Sequence, residues 1–165
     1  MSESRQKRRT ITRITLWGSL INLLLSALKI GAGLILSSQS LVADGIHSLS
    51  DLVTDAAILL GAPFWTAPPD EGHPYGHGRI ETLVNGFIGL VLCLVALTIA
   101  WRSIATLNSP HTNTVGLSVF LIALLSIFSK EILFRWTRST AHAVRSSALA
   151  ANAWHHRSDA LSSVP

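Results

Sequence analysis

Apolar runs about as long as a bilayer is thick leave this chain few folds to adopt. They fall at about 15–36, 41–62, 82–103, 115–134 and 145–165, and a helix needs roughly 20 residues to cross the hydrocarbon core. Charged residues make up only 13% of the chain, against about 25% in a soluble domain. The expected fold class is all-α: a polytopic helical membrane protein whose spans follow a basic leader over 1–14. The first run is too long for a signal-peptide core and has no small-residue cleavage site in view, so it reads as an uncleaved span. The single cysteine, Cys93, offers neither a disulfide framework nor a thiolate metal site.

The net charge of +4 does not indicate nucleic acid, because the basic residues sit at the ends of apolar runs. Lys and Arg gather in the leader, in the 63–81 loop and in a loop expected over 135–145, while the other links contribute only Arg102. The positive-inside rule then places the N-terminus in the cytoplasm. Pro63, Pro68 and Pro69 are expected to end the second helix, and Lys130 and Glu131 to end the fourth. A short link around Asn108, Ser109 and Pro110 separates spans three and four.

The second run is apolar only on part of its surface. LVADGIHSLSDLVTD carries Asp44, His47, Asp51 and Asp55, which at i, i+3, i+7 and i+11 share one helical face. His47 and Asp51 stand one turn apart, and HHRSD repeats the spacing with His155 and Asp159. Two such helices facing each other supply two imidazoles and two carboxylates, a tetrahedral set suited to Zn²⁺. A charge in mid-bilayer costs several kcal/mol and mostly lines a pathway or pairs within the bundle. Two pairs of one design on separate spans therefore favour a metal site over structural pairing. His156 lies about 100° away from His155 on the helix, so His156, Arg157 and Asn152 are expected to pair with neighbouring helices. Asp44 and Asp55 are expected to attract ions, orient a ligand or contact water. Lys29 is expected to pair in the bundle or snorkel to an interface. The loop APPDEGHPYGHGR brings Asp70, His73 and His77 within eight residues, among Gly72, Pro74, Gly76 and Gly78 that exclude helix. Spacing alone leaves a loop metal site and an ordinary solvated turn evenly balanced.

SLVADGIHSLSD, HPYGHGRIETL, KEILFRWT and ANAWHHRSDALSSV, in that order, resemble the cation diffusion facilitators, which exchange divalent metal for protons. The resemblance covers nearly all of the chain after the leader. It implies a transport site between the second and fifth helices, on His47, Asp51, His155 and Asp159. It also implies a loop zinc site on Asp70, His73 and His77, as some members have. The family has six membrane helices and usually a cytoplasmic C-terminal domain that binds metal and dimerises. Five helices are expected here, with the chain truncated before the sixth helix and that domain. The expected activity is proton-coupled export of Zn²⁺, with Fe²⁺, Co²⁺, Cd²⁺ and Mn²⁺ as other substrates, by a homodimer in a lipid bilayer, the bacterial inner membrane. Metal ions and protons are the expected partners. A non-transporting subunit or truncated product is the alternative. An intramembrane metalloenzyme ranks lower, because no HExxH helix and no spare glutamate accompany either pair, so no enzymatic activity is expected.

Overall fold

The computed structural model describes residues 3–106 and 116–162, in which every regular element is an α-helix. The helices are α1 (Glu3–Ile35), α2 (Gln39–Trp65), α3 (Gly78–Thr106), α4 (Leu117–Val144) and α5 (Ser147–Ser162). Three of them, α1, α4 and the Gly78–Thr98 part of α3, are long and apolar enough to cross a membrane by length and composition. Their exposed surface is rich in Leu24, Leu34, Leu90, Phe128 and Ile132, as expected of side chains facing lipid rather than water. The protein is an all-α polytopic membrane protein.

α2 is apolar on the outside and polar within. Its 27 residues cover about 40 Å at 1.5 Å per residue. Val53, Leu60 and Phe64 are exposed, while Ser48, Asp51, Thr54 and Asp55 are buried. Asp51 and Asp55 thus face protein, while Asp44 is only partly covered. In hydrocarbon a helix is free to send its polar stripe inward only if other helices receive it, and α1 and α5 do so here.

The hairpin between α1 and α2 turns on three residues. Ser37 takes a left-handed conformation (φ 51°), and the Ser38 hydroxyl caps α2 by accepting from the Leu41 amide. Small residues then let the two helices close on each other. A Cβ at Gly33 would lie 2.6 Å from Val42 Cγ2 and 2.8 Å from the Val42 nitrogen, and one at Gly45 would lie 2.7 Å from Ile30 Cγ1. The Ser26 hydroxyl donates to the Gly45 carbonyl across the same seam.

α4 turns into α5 through Arg145, also left-handed (φ 49°, ψ 55°). Glu81 of α3 secures the start of α5, accepting from Ser146 Oγ at 2.6 Å and from the Ala148 amide at 3.2 Å. A carboxylate at this position meets the positive end of the α5 dipole. At the same end of the bundle Lys7 Nζ donates to the Arg145 carbonyl at 3.2 Å, so the N-terminal segment and the α4–α5 turn lie together. An apolar plug of Ile11, Ile14, Ile58, Ala62, Trp65, Ile88, Ala141, Ala148 and Leu149 fills this end.

Several boundaries differ from those expected of the sequence. The basic leader is helical from Glu3 and continuous with α1, because Ile11 and Ile14 continue the buried stripe into the plug. Pro63 lies inside α2, which runs on to Trp65. Lys130 and Glu131 do not end the fourth helix, and the stretch expected as a 135–145 loop is helical through Val144. The link around Asn108, Ser109 and Pro110 lies outside the described residues.

Candidate metal centre

The buried stripe of α2 and the single inward face of α5 meet in mid-bundle. His155 Nε2 lies 3.4 Å from Asp51 Oδ1, and its Nδ1 lies 3.6 Å from Asp159 Oδ1. His47 Nε2 lies 3.7 Å from the same Asp159 oxygen. One donor atom each from His47, Asp51 and Asp159 falls within 4.8 Å of the others; His155 stands outside that set of three and contacts the two carboxylates instead. The four residues singled out by their four-residue spacing are therefore neighbours in space.

Several donor atoms of the cluster make no hydrogen bond within the described bundle. His47 Nε2, both ring nitrogens of His155 and Asp51 Oδ1 are buried and have no hydrogen-bond partner among the described residues. Buried polar atoms ordinarily find partners, and imidazole nitrogens with carboxylate oxygens are the donors that divalent transition metals take. The donor set fits a divalent cation.

A fifth residue joins the cluster that spacing did not reveal. Lys130 of α4 is fully buried, with Nζ 2.9 Å from Asp51 Oδ2 and 3.5 Å from Asp159 Oδ2. A signal for it was present in the sequence. Ala123, Ser126, Lys130, Leu133, Phe134, Thr137 and Ala141 form one buried stripe along α4, at the i, i+3, i+4, i+7 spacing of a single helix face.

Around this centre several other intramembrane polar groups are paired. Asp55 accepts from Asn152 Nδ2 at 2.8 Å, Ser19 Oγ at 3.1 Å and Asn22 Nδ2 at 3.4 Å. Thr54 Oγ1 donates to Asn152 Oδ1 at 3.2 Å, so this network ties α1, α2 and α5 together. Lys29 pairs within the bundle, 2.9 Å from Asp44 Oδ2 and 3.1 Å from Ser48 Oγ, rather than snorkelling. Arg157 lies over the Phe134 ring of α4 at 4.8 Å. His156 is buried and lies 3.3 Å from Asn152 of its own helix.

The loop residues also converge. His73 accepts at its carbonyl from the Asp70 amide and donates its own amide to Asp70 Oδ1 at 2.7 Å. His73 Nδ1 lies 3.1 Å from Asp70 Oδ1, and His77 Nε2 lies 3.3 Å from Asp70 Oδ2. The two imidazoles face each other with centroids 4.3 Å apart. Gly76, at φ +79°, allows the reversal, and its amide donates to the His73 carbonyl at 2.9 Å. The His73 contacts hold the Asp70 carboxyl below the usual carboxylate range.

Comparison with known proteins adds a family. The sequence profile of the cation efflux transmembrane domain matches residues 15–164. A protein of Methanocaldococcus jannaschii described as an uncharacterized transporter is 43% identical over 143 residues, covering 87% of this chain and 50% of that protein. A manganese efflux system protein of Bacillus subtilis is 34% identical over 164 residues, covering 99% and 54%. Mitochondrial metal transporter 1 of Saccharomyces cerevisiae is 33% identical over 187 residues, covering 99% and 37%. The chain thus spans about half the length, or less, of these relatives. No solved structure matches it.

Proposed function

This chain belongs to the cation efflux family, the cation diffusion facilitators, and from that premise we propose that it forms the membrane part of a divalent-metal exporter with His47, Asp51, His155 and Asp159 as its transport site. The observation that carries the reading is the convergence of α2 and α5 on a buried group of two imidazoles and two carboxylates. Two nitrogens and two oxygens suit Zn²⁺, and the same donors accommodate Fe²⁺, Co²⁺, Cd²⁺ and Mn²⁺. The manganese efflux relative makes Mn²⁺ the first metal to compare with Zn²⁺.

Export is coupled to protons because the donors bind metal only after losing them, imidazole as the neutral ring and carboxylate as the anion. A proton entering from the far side favours release of the ion, so one set of residues serves both substrates. Rocking of helices about the buried centre exposes it to each side in turn. The N-terminus, the 66–77 loop and the Arg145 turn face the cytoplasm, the side to which basic residues are retained. The protein works as a homodimer in a multi-pass arrangement, in the bacterial inner membrane. Asp70, His73 and His77 form a separate cytoplasmic ion site that regulates or stabilises.

The test is flux into proteoliposomes containing the whole protein, with a trapped metal dye and a pH dye read together. Zn²⁺ or Mn²⁺ entry with matching proton efflux is expected. Metal entry with no proton movement would remove the antiport, and no metal entry above empty liposomes would remove the transport reading.

A further inference from the structure

The cluster contains a cation of its own. Lys130 Nζ reaches Oδ2 of Asp51 and of Asp159, while the imidazoles lie toward the two Oδ1 atoms. Resting on the transport reading above, we propose that Lys130 is a built-in counter-cation: its ammonium occupies the two carboxylates in the metal-free protein, and a divalent ion binds by displacing it. An ammonium carries three donors and no lone pair, so it cannot join the ligand set and can only compete with it. A divalent ion held by the Oδ1 atoms would stand one carboxylate's width from that ammonium. Little water is present to screen the repulsion, because Lys130, Asp51 and Asp159 are all buried.

The charge count runs in the same direction. Two carboxylates and one ammonium leave one net negative charge in the metal-free cluster, so the empty carrier avoids carrying two unpaired anions through the bilayer. With a divalent ion bound, the ion neutralises the two carboxylates, and the displaced ammonium brings the same groups to one net positive charge. The displaced side chain also has a resting place. Ser126 lies one turn earlier on the same stripe of α4, fully buried, with its hydroxyl unpartnered among the described residues. Long helical side chains lean toward that preceding turn. The other intramembrane lysine does not share this position, since Lys29 pairs with Asp44 and Ser48.

The experiment compares Zn²⁺ and Mn²⁺ binding and flux for the whole protein with Lys130→Gln, Lys130→Arg and Asp51→Asn. Removing a competing like charge should tighten metal binding in Lys130→Gln by about tenfold or more. KM should fall and kcat should fall with it, because the empty carrier then returns with unpaired carboxylates. Lys130→Arg keeps the charge and should bind within a few-fold of the unaltered protein. Weaker or unchanged binding in a folded Lys130→Gln protein overturns the displacement, since an anchoring lysine gives the first result and a bystander the second. If Lys130→Gln does not fold, ¹⁵N-lysine NMR of the unaltered protein decides. Residues 1–165 hold Lys7, Lys29 and Lys130; the Lys130 side-chain resonance, assigned as the one absent from Lys130→Arg, should move with Zn²⁺, and a resonance that stays in place overturns the proposal. Asp51→Asn separates the two readings. Metal flux that survives it, or a bound ion in addition to the loop ion, refutes the transport site itself, whereas loss of both there with no gain in Lys130→Gln refutes only the lysine.

Discussion

The intramembrane cluster and the loop cluster use the same side chains under opposite conditions. Asp51 and Asp159 have side chains 1% and 3% exposed, whereas Asp70 and His73 are 56% and 59% exposed. In the loop, three residues within one turn-rich segment reach each other through local geometry, and water solvates whatever charge remains. In the bundle, five residues from three helices converge, and each charge must be met by another side chain. Desolvation makes the buried group costly to keep and sensitive to any change of charge. Exposure makes the loop group inexpensive and tolerant. A carrier has use for the first kind of site, since its affinity has to swing between states, and a regulatory site has use for the second.

The sharpest way to break this contrast is to remove one buried carboxylate. Loss of even an outer partner of a metal ligand costs about 10- to 100-fold, so Asp51→Ala or Asp159→Ala should lower metal flux by about hundredfold or more. Insertion should be intact and the loop ion still bound, as read by proteoliposome flux and metal content per chain. Near-normal flux in either variant would mean that the buried group is a structural ion-pair network.

His47 offers a finer probe, because it is the partly exposed member of the buried group. His47→Asp replaces a nitrogen with a harder oxygen donor. The ratio of Zn²⁺ to Mn²⁺ transport should move toward Mn²⁺ by about tenfold, the effect of some 1.4 kcal/mol. An unchanged ratio under competition between the two metals would take His47 out of the ligand set.

How much of this contrast could be read from the sequence depends on which signal each part leaves. The helices were legible because lipid demands long apolar runs, and the closeness of His47, Asp51, His155 and Asp159 because a four-residue spacing places side chains on one face. The loop residues were visible as a local motif. Lys130 was not, since a charge after an apolar run reads as the end of a span. Only the continuation of the α4 stripe through Leu133, Phe134, Thr137 and Ala141 shows otherwise. The helical start at Glu3 is hidden for a related reason: Arg5, Lys7, Arg8 and Arg9 mask the periodic Ile11 and Ile14. Nor does spacing tell that Asp55 is held by Ser19, Asn22 and Asn152, because those partners come from other helices.

The loop cluster should respond far less. Replacing His73 and His77 together by Ala removes two of three donors, so one bound ion per chain should be lost, measured by metal analysis of the purified protein. Flux should remain within about twofold, since the loop residues lie outside the bundle through which the ion is transferred. Disappearance of all flux in a correctly folded double variant would merge the two clusters into one pathway.

The smallest expected effect is the pH response of the metal-free loop. The Asp70 carboxyl accepts from the His73 side chain and amide, and these contacts hold it below the usual carboxylate range. A depressed value means that the folded loop favours the ionised form. Its contribution to loop order is therefore fully present above the ordinary carboxylate range of about 4 and is lost as the pH falls through the lower folded value. Amide exchange protection at His73 should stay constant from neutral pH down to about 5 once intrinsic rates are divided out, and should fall only in stronger acid. In Asp70→Asn the side chain no longer titrates, so that acid-side drop should vanish. A drop that survives in Asp70→Asn would assign it to another group, and loop order would then not depend on the Asp70–His73 contact.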